Sequence, residues 1–260
     1  MKQTISPHQN PKKSPLITWS PLTAVAIVVA SYFGTQYAGA ISLFLFGLAR
    51  GLSVEDVEAW LTDSTAAQFA NVVLVYGLMT LAVYLFMRKR KVSLRTLGVV
   101  RARLKDMGIA LLGVPVYIFG YAVLLIIMSA IFSSIDLEQE QQLGFNPEQN
   151  SVGLVLTFIS LVVLPPLIEE FIMRGFLFTS LLARYRFAVA AITASIVFAV
   201  AHLQFGSDAP LLWVAAIDTF ILSLVLCYMR FKTGSLWPGI FLHGLKNLVA
   251  FLSIFVFRLA

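Results

Sequence analysis

Six polar side chains stand inside otherwise apolar runs. They are Glu169, Glu170 and Arg174 in "LPPLIEEFIMRGFLF", His202 in "FAVAHLQFG", and His243 and Asn247 in "PGIFLHGLKNLVAFL". A carboxylate and an imidazole held at one level bind and deprotonate a water, and a low-dielectric surrounding makes the carboxylate a better base. A second imidazole beside an amide N–H donates to an oxyanion, so the set contains the parts for adding water to an acyl carbon such as a peptide carbonyl. Glu169, His202 and His243 are also the donor types of a zinc site with an open position, where metal-bound water does the same work. The residue types leave both routes open. Neither an HExxH helix nor a GxSxG elbow occurs in the chain.

Spacing separates the two glutamates. Glu170 and Arg174 are four residues apart with the acid first, the favourable order for an ion pair along one helix face, which makes them a supporting pair. Glu169 points about 100° away on a helix and is left for a histidine, a metal or a water. His243 and Asn247 are again four apart and face one groove, beside Gly239 and Gly244, which permit close helix approach. Asp218 and Lys246 are expected to pair between neighbouring helices, Phe198 to pack, and Trp213 and Trp237 to lie at membrane interfaces.

Depth follows from helical rise. Taking Tyr185 as the turn of a helical hairpin, Glu169 lies 16 positions before it and His202 17 after, a mismatch of about 1.5 Å. Glu169 is therefore expected to face His202. Around Thr233, Asp218 lies 15 positions before and Asn247 14 after, at a comparable level. Both matches require one helix running through Glu169 to about Arg184, with Pro165 and Pro166 as a kink or helix restart.

The elements that must carry these groups are membrane helices. Of 260 residues, 59% are hydrophobic and 12% charged, about half the charged fraction of a soluble domain. Seven apolar runs are long enough to be read as spans, near 21–47, 69–87, 107–133, 152–183, 187–203, 211–229 and 236–257. The expectation is an all-α, polytopic bundle of about seven transmembrane helices, with a tail at 1–20 and a single membrane domain at 21–260. Continuous apolar runs without period-two alternation argue against a β-barrel.

The connections alternate in charge. Lys2, Lys12 and Lys13 precede the first run, and Arg88 to Lys105 supply eight cations after the second. Arg184, Arg186, Arg230 and Lys232 follow on the same side, whereas Glu55, Asp56, Glu58, Asp63, Asp136, Glu138, Glu140, Glu148 and Asp208 fall on the other. By the positive-inside bias the N-terminus is cytoplasmic and the C-terminus outside, in a multi-pass plasma-membrane protein. Topology thus accounts for the net charge of +6, and no basic helix or aromatic-basic platform points to nucleic acid. Cys227, the lone cysteine, reads as packing.

Ionised groups at bilayer depth cost roughly 2.5–3.5 kcal/mol each on insertion scales, so Glu169, His202, His243 and Asn247 gathered at one level point to a site. Three readings fit such a cluster: a hydrolase, a proton-coupled transporter, and a non-catalytic membrane scaffold or bacteriocin-immunity protein. No internal symmetry of the kind transporters show is present in the sequence.

Taken in order, Glu169 to Arg174 fits EExxxR, Phe198 to His202 fits FxxxH, and His243 to Asn247 fits HxxxN. This resembles the CPBP family of CAAX prenyl endopeptidases and bacteriocin-processing (Abi) intramembrane proteases, over about residues 150–255. The resemblance implies an intramembrane endopeptidase in which Glu169 and His202 activate water and His243 and Asn247 stabilise the oxyanion. Glu170 and Arg174 complete the first motif, and Arg174 orients the site or engages a substrate terminus. Short loops suggest a bacterial member acting on a leader peptide, a signalling peptide or another membrane protein. Zinc is an alternative means of activating the water.

Overall fold

A computed structural model describes residues 17–132, 135–137, 144–146, 150–203 and 211–259. Glu138, Glu140, Glu148, Asp208 and the tail lysines lie outside the described residues. The described residues form eight helices and no strand: α1 Pro21–Ala49, α2 Val54–Asp63, α3 Thr65–Lys89, α4 Leu104–Ile131, α5 Ser151–Leu182, α6 Phe187–Val200, α7 Trp213–Thr233 and α8 Trp237–Val256.

Local signals set the ends. Ser20, Ser53 and Ser64 cap α1, α2 and α3 by accepting from the N–H of the third residue onward, which satisfies one of the orphan donors of a helix start. Arg88 and Lys89 close α3, complementing the negative end of its dipole. Gly234, at φ 68°, ends α7 in the left-handed conformation that glycine adopts without steric cost.

Six helices, α1, α3, α4, α5, α7 and α8, are long and apolar enough to cross a membrane. Large apolar side chains such as Leu111, Leu112, Phe119 and Ile126 on α4 are exposed, which suits a lipid solvent. The chain is a polytopic helical membrane protein. One expectation changes: the run at 187–203 forms a helix of only 14 residues among those described, about 21 Å at the usual rise and short of a bilayer core of about 30 Å. The acidic connection after the first run also folds into a helix, α2, instead of a plain loop. Within the stretch expected as a tail, Ile17 and Trp19 are buried in the bundle, and residues 1–16 lie outside the described residues.

The basic connections gather at one end of the bundle. The connection at 93–100 is tied to α7 and to the start of α8 by three bonds: Arg230 Nη2 donates to Thr96 O (3.0 Å), Leu236 N–H to Gly98 O (3.1 Å), and Trp237 Nε1–H to Val100 O (2.6 Å). Behind that connection sits an aromatic core. Trp19 stacks on Phe176 at 5.5 Å and meets Phe86 edge-on at 5.2 Å, and its indole N–H donates to Ser180 Oγ at 2.9 Å. Met87, Leu97, Leu177, Phe178 and Leu181 close around them, all nearly inaccessible.

The helix α5 carries the first motif and is continuous, as the depth argument requires, but it is not uniformly α. Residues Ile159–Val163 and Glu170–Leu177 are π-helical, and Pro165 and Pro166 restart the α-helix between them at Leu164–Glu169. Two adjacent prolines cannot donate to the carbonyls four and five residues earlier, so the ladder widens at this point. The restart therefore falls where the sequence places it, whereas the wide turns do not show in the sequence.

Candidate active site

Glu169 on α5, His202 just past α6, and His243 and Asn247 on α8 line one cavity of about 870 Å³ within the bundle. Glu169 is the last α-helical residue before the second wide turn of α5. Its Oε1 accepts a hydrogen bond from Tyr76 Oη on α3 at 2.6 Å, and its Oε2 lies 3.9 Å from His243 Nε2. Oε2 is buried and has no hydrogen-bond partner among the described residues.

This alters the expected pairing. Glu169 and His202 share the cavity but make no hydrogen bond or ion pair with each other among the described residues; the groups in direct contact with Glu169 are Tyr76 and His243. The reason is local. His202 lies just beyond the end of α6, and its Nδ1–H donates to the carbonyl of Phe198 at 2.7 Å, which turns the ring back along its own helix. A carbonyl can only accept, so Nδ1 carries the hydrogen and Nε2 holds the lone pair in the neutral ring. Tyr32 on α1 fixes the same turn by donating to Ala201 O at 2.8 Å.

Glu170 and Arg174 form the expected pair, with Arg174 Nη1 to Glu170 Oε1 at 2.8 Å and both side chains about 1% exposed. The same carboxylate oxygen also accepts from His243 Nδ1 at 3.3 Å. Glu170 thereby sets the tautomer of His243 and leaves Nε2 toward Glu169 and the cavity, a role that spacing alone did not assign. Gly239 makes this approach feasible: a Cβ there would lie 2.9 Å from Glu170 Oε2.

Phe198 is more than packing. Its ring centroid lies 4.4 Å from the Arg174 guanidinium carbon, 4.5 Å from the centroid of His202 and 6.0 Å from that of His243, so one ring packs against the buried cation and both imidazoles. Asn247 Nδ2 donates to Leu161 O at 2.8 Å, and its second amide hydrogen remains for another acceptor. Asp218 and Lys246 pair at 2.5 Å on the cavity wall, as expected, and Tyr117 Oη donates to the same carboxylate. Trp213 is exposed at the start of α7 and Trp237 sits at the start of α8. Tyr76, Tyr32 and Tyr117 were not singled out in the sequence; a phenol in mid-run was the available signal.

The donor chemistry of Glu169, His202 and His243 suits zinc, with each Nδ1 held and each Nε2 presented. Their placement does not: among the described residues no three His, Cys, Asp or Glu side chains converge as metal ligands.

An all-helical bundle of membrane spans thus encloses paired glutamates and two oriented histidines. Residues 151–249 match the family described as type II CAAX prenyl endopeptidase Rce1-like. The matched stretch contains all three motifs. No curated protein and no solved structure matches the chain at a significant level.

Proposed function

We propose that the protein is an intramembrane endopeptidase that hydrolyses a peptide bond of a membrane-associated substrate with a water activated by Glu169. The observation that carries this reading is the buried, unpartnered Oε2 of Glu169, a residue that lines one cavity with His202, His243 and Asn247. Tyr76 holds Oε1, so Oε2 is the oxygen that takes the proton. His202 Nε2 accepts a hydrogen bond from the same water and orients it. The hydroxide adds to the carbonyl carbon, and the resulting oxyanion is met by the free N–H of Asn247 and by His243 when its Nε2 carries a proton. Collapse breaks the C–N bond, and Glu169 returns its proton to the leaving amine. Glu170, Arg174 and Phe198 position the imidazoles and do not touch the reacting atoms.

The test is cleavage of a quenched peptide library by protein purified in detergent, comparing the wild type with Glu169→Gln and His202→Ala. Loss in both variants is expected. Equal cleavage by all three would sink the proposal and leave a scaffold or immunity role.

A further inference from the structure

The cavity is not placed symmetrically along the bundle. On α7 its lining residues, Ala215, Asp218 and Thr219, all fall within the first turns, far from the basic end at Arg230 and Lys232. On α8 none precedes His243, and the lining continues to Phe255 at the opposite end. On α3 it runs from Asn71 to Met79, while the basic residues Arg88 and Lys89 close that helix at its other end. Phe145, in the connection between α4 and α5, also borders it.

Burial closes the basic end. The lining residues nearest the basic end, Val28, Met79, Ile172 and Met173, are nearly inaccessible, and beyond them lies the Trp19, Phe86 and Phe176 cluster under the pinned turn at 93–98. At the other end, Gln36 and Ala250 are exposed, beside the buried Phe251 and Phe255. An aromatic plug that is fully packed leaves no route for a peptide.

We infer that the cavity opens at the face opposite the basic connections, which is the non-cytoplasmic face by the positive-inside bias. If Glu169 is the catalyst, as proposed above, the substrate is the exported part of a membrane-associated peptide. A tail presented from the face with the basic connections meets the plug instead. Exposed Val29 and Phe33 on α1 and Ile196 and Val200 on α6 give the flank of the same cavity an apolar lining, suited to a substrate segment that stays in lipid.

The chain has one cysteine, Cys227, which is inaccessible, so single-cysteine labelling gives a direct test. In a Cys227→Ser background, Asn71→Cys and Ile254→Cys report the cavity from two helices and Arg95→Cys reports the basic turn. A maleimide reacts with the thiolate and therefore only where water reaches. With a membrane-impermeant maleimide added to spheroplasts, the first two variants are expected to label and Arg95→Cys is not; in inverted vesicles the pattern reverses. Cavity cysteines that label only in inverted vesicles, or from neither side, would overturn the inference, as would labelling of Arg95→Cys in spheroplasts. The readout needs no catalysis, so its failure is distinct from inactivity of the site.

Discussion

Asn247 Nδ2 lies 2.8 Å from the carbonyl oxygen of Leu161, the group that Pro165 and Pro166 leave without a helical donor. A carbonyl four residues before a proline has lost its α-helical partner, and a second proline removes the π-helical one as well. The HxxxN motif on α8 is thus tied to the PP step before the EExxxR motif on α5, and the two segments are fixed at one depth by a single amide.

That tie predicts a separable pair of effects for Asn247→Ala. Leaving the Leu161 carbonyl unsatisfied costs about 1–3 kcal/mol, read as a lower melting temperature in detergent. Adding Pro165→Ala restores an N–H four residues from Leu161 and is expected to recover the melting temperature. Cleavage is expected to stay low in the double variant, because the oxyanion donor is still missing. Recovery of both would make Asn247 purely structural.

Glu169→Gln is expected to lower cleavage by about a hundredfold to ten-thousandfold, the usual contribution of a general base. The melting temperature should hold, because Oε2 has no partner to lose. Tyr76→Phe removes only the bond that orients the carboxyl group, so a smaller loss of about tenfold is expected, as for a hydrogen bond worth about 0.5–1.5 kcal/mol. An equal loss in both would mean that Tyr76 touches the substrate.

Much of this arrangement is legible before any coordinates. The apolar run at 152–183 and the helix Ser151–Leu182 nearly coincide, and the spacing of Glu170 and Arg174 gives their ion pair directly. What hydropathy misses depends on partners distant in sequence. Tyr76 bonds a residue 93 positions away and reads as a neutral member of an apolar run. The run at 187–203 gives a shorter helix because Tyr32 and the ring of His202 take carbonyls near its end, which composition does not register. Depth matching brings Glu169 and His202 into one cavity, but rise along a helix does not say which way a ring turns.

Chelation addresses the zinc alternative. The cavity donors do not converge as placed, so cleavage is expected to survive prolonged dialysis against a strong chelator, with no stoichiometric metal in the purified protein. Loss of cleavage on chelation and its return with about one equivalent of zinc would require Glu169, His202 and His243 to close on an ion, as three-ligand catalytic sites do.

Gly239→Ala tests the support beneath His243. The added Cβ would lie 2.9 Å from Glu170 Oε2, and the carboxylate has little room to yield, because its other oxygen is held by Arg174 and His243 at 2.8 and 3.3 Å. Either α8 moves away from α5 or the Glu170 carboxylate rotates off the imidazole. Overpacking of this kind costs about 1–3 kcal/mol, seen as a lower melting temperature. Cleavage is expected to fall as well, through kcat more than KM, since the change reaches the reaction only by turning His243. Glu170→Ala goes further by stranding the buried Arg174 guanidinium, with a cost of about 3–5 kcal/mol. Wild-type stability in either variant would show that α5 and α8 are not held together through Glu170.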